Sequence, residues 1–214
     1  MTRPEALRGL YAITPDTADT GHLIVLVRQA LRGGVRLVQY RNKAADPALR
    51  RLQAQALLAL CRDLGVVLII NDDLDLALEV DADGVHLGRD DGAIAAARSR
   101  LGDGRMLGVS CYDQLQRARE AAGEGADYVA FGSVFASPSK PGAVRSPLAL
   151  LTEAKRELGL PVAAIGGITV DSAPAVIAAG ADLLAVISDL FDAPDVADRA
   201  RAYGRLFSET VDSR

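Results

Sequence analysis

The sequence has no tryptophan, four phenylalanines and five tyrosines, so aromatic residues make up only 4% of its 214 positions. Its core must come from Ala, Val, Leu and Ile, which suits layers of sheet and helix better than an aromatic-rich binding module. A basic excess is missing too. The 24 Lys and Arg residues are outnumbered by 28 Asp and Glu, giving a net charge of −4, which argues against a nucleic-acid surface. There are two cysteines, Cys61 and Cys111, with no Cys-x-x-Cys. They form no metal-ligand pattern and read as free buried thiols in a reducing compartment. The first residues, MTRPEALRGLYAIT, lack the apolar region of a signal peptide. No apolar stretch is long enough to span a bilayer. A cytoplasmic location is therefore expected, with no membrane and no nucleic-acid partner, and homo-oligomerisation is left open. Lysine is scarce, at positions 43, 140 and 155 only.

Half the residues are hydrophobic, and they fall in short apolar runs that alternate with helical patterns. No linker rich in Ser, Gly or Pro interrupts them. Strands are predicted near Leu10–Thr14, Val35–Tyr40, Val66–Asn71, Gly84–Gly88, Met106–Ser110, Tyr128–Gly132, Val162–Gly166 and Leu183–Ser188. The clearest helix is Pro47–Leu64, where Leu49, Leu52, Ala56, Leu60 and Leu64 recur at helical spacing. Asp46 before Pro47 supplies its start: a capping carboxylate, then a ring with a preset angle. A turn recurs between helix and strand, as Gly33-Gly34-Val35, Asp81-Ala82-Asp83-Gly84, Gly125-Ala126-Asp127 and Gly180-Ala181-Asp182. Eight strands alternating with helices predict a parallel sheet closed into a (β/α)8 TIM barrel, one domain over residues 1–214. An open doubly wound sheet is the alternative, but the first strand ends in Thr14-Pro15-Asp16 instead of a dinucleotide-binding glycine motif.

In such a barrel the reactive groups sit at the carboxyl ends of the strands. After the second strand, Gln39, Arg41 and Lys43 share one side if the chain stays extended. Two cations and an amide there suit a polyphosphate, with Arg forking across oxygens and Lys acting as a point charge; a solvated loop is the plain alternative. After the third come Asn71, Asp72 and Asp73, where either acid could instead cap the next helix. In the fourth, Gly84, His86 and Gly88 face the lumen, with the glycines leaving space for a ligand; His86 reads first as a hydrogen-bonded core histidine. Asp91 could cap a helix or face Asp72, and Mg2+ typically takes one or two carboxylates plus phosphate oxygens and water. Ser110 ends the fifth strand within reach of a phosphate, with no histidine–acid arrangement to make it a nucleophile. Ser137, Ser139 and Lys140 lie in a loop rich in hydroxyls and chain-breakers. Gly166-Gly167 and Ile187-Ser188 end the last two strands, the usual phosphate position of barrels.

Taken together, LYAITPD, VQYRNK, INDD, GVHLGRDD, LGVSCYD, GADYVAFGSVFASPSKP, AIGGIT and GADLLAVISDLF resemble the thiamine phosphate synthase family, also called thiamine phosphate pyrophosphorylase. They follow in family order over nearly the whole chain. The resemblance implies the barrel fold and a transferase of thiamine biosynthesis. Such an enzyme joins 4-amino-2-methyl-5-hydroxymethylpyrimidine diphosphate to 4-methyl-5-(2-phosphooxyethyl)thiazole, releasing diphosphate. It implies that Gln39, Arg41, Lys43, Asn71, Ser110 and Lys140 hold the pyrimidine diphosphate, with Arg41, Lys43 and Lys140 serving catalysis. It implies that Asp72 and Asp91 bind Mg2+, and that Ser137, Ser139, Gly167, Ile187 and Ser188 bind the thiazole phosphate. The family often has threonine where this chain has Ser137 and Ser139; serine keeps the hydroxyl. A thiazole tautomerase-like isomerase on the same barrel is a rival reading. The Gln39-x-Arg41-x-Lys43 pattern with Asp72 and Asp91 argues against it. A non-catalytic phosphate-ligand sensor is another, and it would need an output surface of which the sequence shows no sign.

Overall fold

The computed structural model describes residues 7–136 and 144–209. Ser137, Ser139 and Lys140 lie outside the described residues. The first half of the chain gives β1 (Gly9–Ile13), α1 (Thr20–Arg32), β2 (Leu37–Tyr40), α2 (Pro47–Asp63), β3 (Val67–Asn71), α3 (Leu74–Glu79), β4 (Gly84–Leu87) and α4 (Ile94–Leu101). The second half gives β5 (Met106–Tyr112), α5 (Leu115–Gly123), β6 (Tyr128–Gly132), α6 (Leu148–Leu158), β7 (Val162–Ile165), α7 (Ala173–Ala178), β8 (Leu183–Val186), α8 (Ser188–Phe191) and α9 (Val196–Glu209). Each strand pairs in parallel with its neighbours in sequence, and β8 returns to β1, closing an eight-stranded barrel.

Alternating residues along each strand divide the apolar side chains into two cores, as period-two geometry requires. Tyr11, Ile13, Leu37, Ile69, Met106 and Tyr128 fill the lumen with residues of β7 and β8. The larger core lies between sheet and helices and includes Val38, Ile70, Val85, Leu87 and Val109. In β4 this leaves Gly84 and His86 on the lumen side, as the sequence predicts, but the space beside Gly84 is not for a ligand. A Cβ there would lie 2.3 Å from the Met106 carbonyl oxygen and 2.9 Å from Ile69 Cδ1, so core atoms take the room.

The recurring Ala-Asp turns have a specific use. The carboxylates of Asp83, Asp127 and Asp182 accept the backbone N–H groups of Leu68, Leu107 and Val162, each at 2.8 Å. Their own N–H groups donate to the carbonyls of the same three residues. The start of each even strand β4, β6 and β8 is thereby fastened to the odd strand before it. Asp127 and Asp182 carry a second load, pairing with Arg98 at 2.5 Å and Lys155 at 2.8 Å.

Helix α2 starts as expected: the Asp46 carboxylate accepts from the Leu49 N–H at 2.8 Å. Its buried stripe differs from the expected one. Gln53, Ala54, Leu57, Leu58, Leu60 and Cys61 face inward, whereas Leu52 and Leu64 are about half exposed. Leucines occur all round this helix, and the true stripe includes a polar residue. Gln53 is buried because its amide oxygen accepts from the Tyr40 hydroxyl at 2.8 Å and from Asn42 Nδ2 at 2.9 Å.

Cys61 and Cys111 are free and buried, and burial pushes both thiols up to about 12 from an ordinary 9.0. Neither should react with iodoacetamide at neutral pH in the folded protein, and both should react once it is unfolded. Mass spectrometry of the two states checks this. Rapid labelling of either residue in the native state would contradict its burial. The folded state keeps protons that the unfolded state releases from about pH 9 upward. The thiols' contribution to stability is thus complete at neutral pH and declines as pH rises.

Candidate active site

The strand termini converge on one rim, and a set of ties holds their loops. Thr14, at the end of β1, bonds the main chain of Arg41 twice: its hydroxyl donates to the carbonyl and accepts from the N–H, each at 2.9 Å. Asp16 accepts from the Lys43 backbone N–H at 2.9 Å and from Arg41 Nη1 at 3.0 Å. Asn42 Nδ2 and Gln53 Nε2 both donate to the Thr17 carbonyl, at 2.7 and 3.0 Å. The β1 and β2 loops therefore form one unit. Sequence reasoning passed over Asp16 and Asn42; Asp16 stands in the LYAITPD segment, and only its contact across 25 residues reveals its purpose.

This unit alters one expectation. Gln39, Arg41 and Lys43 do not line one side of an extended strand, because β2 ends at Tyr40. Gln39 is buried in the lumen, Arg41 turns to Asp16, and Lys43 Nζ reaches Asp72 Oδ2 at 2.9 Å. Thr14 and Asp16 curl the chain after Tyr40, and that curl redirects the two cations.

At the ends of β3 and β4 the two adjacent acids divide their work. Asp73 caps α3, accepting from the Leu76 N–H at 2.9 Å. Asp72 is left for the rim and holds a left-handed backbone with φ +63, a costly conformation for a non-glycine residue that tends to mark functional sites. Asp91 caps no helix: α4 begins at Ile94, and its cap position is Ala93, with no side-chain cap. The Asp91 carboxylate instead accepts from the Gly88 N–H at 2.6 Å. A Cβ at Gly88 would lie 2.8 Å from Asp91 Oδ2, so a larger residue there would displace that carboxylate.

Asp72 and Asp91 line one cleft together, and each carboxylate shifts the titration of the other. Half-burial pushes Asp72 up, but the hydrogen bond from Lys43, the contact with Asp91 and the charge of Lys43 together hold it below the ordinary range. Burial pushes Asp91 up; the Gly88 N–H opposes this, and the contact with Asp72 and its charge reinforce it. Two clefts open beside the pair. One of about 390 Å3 runs outward past Asp75, Gly92 and Arg100, and one of about 230 Å3 lies toward Tyr40, Asn42 and Lys43. Asp72 lines both.

Inside the lumen a line of buried polar groups joins five strands. Gln39 Nε2 donates to the Tyr11 hydroxyl at 2.7 Å, and that hydroxyl is 2.7 Å from the Tyr128 hydroxyl. Tyr128 lies 3.0 Å from His86 Nδ1, and His86 Nε2 lies 2.8 Å from Ser110 Oγ. Gly108 makes room for this line, since a Cβ there would lie 2.1 Å from the Tyr128 ring. Burial pushes both phenols far above their usual value, so they stay neutral. From α5, Arg117 donates to the carbonyls of Ser110 at 2.8 Å and Gly88 at 2.9 Å, fixing the β4 and β5 ends together. Strand β5 runs two residues beyond the expected end, with a register irregularity between Ser110 and Tyr112. Asn71, beside His86 in the β3–β4 register, is half-buried at the same level.

Across the rim, the segment after β6 is laid against β7. Val134 and Phe135 donate their N–H groups to the carbonyls of Ile165 and Gly166, at 2.9 and 3.0 Å. Gly167 has φ +61, and a Cβ on it would lie 2.1 Å from the Ala136 carbonyl oxygen, so no larger residue fits. β8 ends at Val186, earlier than expected, because Ser188 opens the short helix α8. Asp189 in that helix is fixed by Arg199 at 2.7 Å and by the Tyr203 hydroxyl at 2.7 Å. Among the described residues, no acceptor takes the N–H of Gly167 or Ser188, which leaves two neighbouring strand ends with amides to offer an anion. The structure thus brings Lys43, Asp72 and Asp91 together, joins Gln39 to Ser110 through intermediates, and sets Gly167, Ile187 and Ser188 on adjacent strand ends.

Polar groups gathered at the carboxyl rim of a closed parallel barrel are the arrangement of (β/α)8 enzymes. The chain belongs to the thiamine monophosphate synthase family, whose model matches residues 10–190. It is 60% identical over 201 residues to the thiamine-phosphate synthase of Aromatoleum aromaticum, covering 94% of this chain and 97% of that protein. It is 59% identical over 204 residues to that of Azoarcus sp. strain BH72, covering 95% and 99%. Among solved structures, the thiamine phosphate pyrophosphorylase from Pyrococcus furiosus superposes with a TM-score of 0.83 at 34% identity, over 96% of this chain and 98% of that one. No helix among the described residues is long and apolar enough to cross a membrane.

Proposed function

We propose that this chain, acting as a single cytoplasmic barrel domain, joins 4-amino-2-methyl-5-hydroxymethylpyrimidine diphosphate to 4-methyl-5-(2-phosphooxyethyl)thiazole. The products are thiamine phosphate and diphosphate. The observation that carries the reading is the Lys43–Asp72–Asp91 cluster at the rim. In the reaction the bond between the pyrimidine methylene carbon and the diphosphate oxygen breaks, and the diphosphate leaves with the electron pair. The thiazole ring nitrogen then gives its lone pair to that carbon. The nucleophile arrives on a substrate, so no catalytic triad is required.

The donor set suits Mg2+: two hard carboxylates on neighbouring strand ends that line one cleft, with remaining positions left to phosphate oxygens and water. Among the described residues no group of three or more His, Cys, Asp or Glu side chains is placed for a metal. When bound, Mg2+ would neutralise charge on the departing diphosphate. Lys43 adds a cation at the same place, and Arg41 and Lys140 are assigned to the same anion. Gln39, Asn71 and Ser110 are assigned to the pyrimidine diphosphate. The amides at Gly167, Ile187 and Ser188, with the hydroxyls of Ser137 and Ser139, are assigned to the thiazole phosphate.

Supplying both substrates and Mg2+ to the purified protein should yield thiamine phosphate and diphosphate in equal amounts, and chelation should stop both. Formation of neither product at saturating substrate would overturn the reading. Protons compete with metal for carboxylates. Since Asp91 sits above the ordinary carboxylate range, divalent affinity should fall with decreasing pH earlier than for an unperturbed aspartate pair. A Mn2+ binding titration across pH measures this. A flat affinity down through the ordinary carboxylate range would contradict the shift.

A further inference from the structure

The line of hydrogen bonds from Gln39 to Ser110 has no charged member at neutral phenols and imidazole, and every internal link is made. Gln39 is 2% exposed, Tyr11 1%, Tyr128 0% and His86 6%. Such a chain has two self-consistent polarities. In the first, Gln39 N–H donates to Tyr11, Tyr11 to Tyr128, and Tyr128 to His86 Nδ1. The imidazole proton then sits on Nε2 and points at Ser110 Oγ, so the Ser110 proton must point elsewhere. In the second, every donor reverses. Ser110 donates to His86 Nε2, Nδ1–H donates to Tyr128, Tyr128 to Tyr11, and Tyr11 to the Gln39 carbonyl after its amide has turned over. A mixed state leaves two donors or two acceptors facing each other in a buried lumen, which costs more than a lost hydrogen bond. The two ends are therefore coupled.

We propose that this line is a specificity relay in which the group recognised by Gln39 decides whether Ser110 can donate its proton. The inference rests on the function proposed above. A 4-aminopyrimidine offers a donor at its amino group and an acceptor at the adjacent ring nitrogen. It matches the Gln39 amide in the first polarity, with the carbonyl oxygen as acceptor and the second N–H as donor. That oxygen takes no hydrogen bond from any described residue. Binding of the amino substrate then selects the Nε2–H tautomer of His86 and frees the Ser110 proton for an anionic oxygen of the substrate. A 4-oxo analogue, with a ring N–H and a carbonyl, matches the opposite amide orientation. It selects the second polarity and commits the Ser110 proton to His86. Tyr11, Tyr128 and His86 are positioning residues in this scheme, acting through the two ends.

The test compares kcat/KM for the 4-amino substrate and its 4-oxo analogue in wild type, Tyr128→Phe and Tyr11→Phe. Each variant keeps the ring and cuts the relay at one link. Intrinsic reactivity differences between the substrates cancel when the amino-to-oxo ratio is compared among proteins. The ratio should fall about tenfold or more in each folded variant, the scale of one bidentate amide contact. In wild type, Ser110→Ala should lower kcat for the amino substrate much more than for the analogue; added to Tyr128→Phe, it should lower both alike. A merely structural role would reduce both substrates together and leave the ratio unchanged. An unchanged ratio in either folded variant, with wild type active, would overturn the relay while leaving the proposed function standing. An inactive wild type would overturn both. If Tyr128→Phe does not fold, Tyr11→Phe decides alone.

Discussion

Asp72→Asn is expected to lower Mg2+-dependent turnover by about two to three orders of magnitude, the scale seen when one preorganised electrostatic contact to developing charge is removed. Folding should survive. The substitution keeps the shape of the side chain, and asparagine tolerates the left-handed backbone with φ +63 that residue 72 adopts. It is thus a cleaner test than Asp72→Ala, which should lose activity to the same degree but adds backbone strain. Asp73 caps α3 by itself, so the helix start is untouched. Lys43 would lose its 2.9 Å partner, and Asp91 would lose the neighbouring charge that raises its pKa. Two consequences follow for Asp72→Asn: the metal concentration needed for half-maximal rate should rise, and the acid fall-off in metal affinity should shift to lower pH. Steady-state assays over a range of Mg2+, with circular dichroism as the folding control, measure both. Full activity in Asp72→Asn would remove this residue from the reaction.

The largest effect on stability is expected at Asp127. Its side chain and that of Arg98 are 8% and 14% exposed and pair at 2.5 Å. The same carboxylate fastens the Leu107 N–H at 2.8 Å. Asp127→Ala leaves a mostly buried guanidinium without its counter-charge and a strand amide without its acceptor. A loss of about 3 kcal/mol is expected for such a broken pair. For a chain of this size that lowers Tm by about 6–12 °C. Asp182→Ala removes the matching fastening of β7, but its partner Lys155 is 47% exposed. Solvent already screens that pair, so the loss should be smaller, about 1–2 kcal/mol from the stranded amide. Thermal melts of the two variants check the order. Equal melting temperatures would show that the buried Arg98 pair adds nothing beyond the fastening.

These fastenings also show why the barrel could be read from residues alone. The turn containing Ala-Asp returns before β4, β6 and β8, and its spacing sets the β/α period. Each Asp acts within one unit, so its pattern is local. The expected strands deviate where a tertiary contact overrides the run of apolar residues. Ile187-Ser188 continues the β8 pattern in sequence, yet Ser188 starts α8, whose Asp189 is held by Arg199 and Tyr203. In α2 the choice between two leucine stripes depended on Gln53, a polar residue buried by partners on β2 and its loop.

The site divides in the same way. Asp72 and Asp91 stand at the ends of adjacent strands, so strand order alone brings them together. The orientation of Arg41 was not legible, because it depends on Asp16 from another loop. The Tyr11–Tyr128 contact spans 117 residues and exists only because the barrel closes. Tyr11 and Tyr128 stand in the LYAITPD and GADYVAFGSVFASPSKP segments, but nothing in either segment pairs one with the other. The space provided by Gly108 points to Tyr128 only once β5 and β6 are paired.

Crystals grown with Mn2+ in place of Mg2+ and with inorganic diphosphate, measured at the manganese absorption edge, test the central claim most directly. The account predicts one anomalous peak touching oxygens of both Asp72 and Asp91 and of the diphosphate, with the Lys43 ammonium on the same anion. Diphosphate bound at the rim with manganese on neither carboxylate, or on one of them alone, would contradict it.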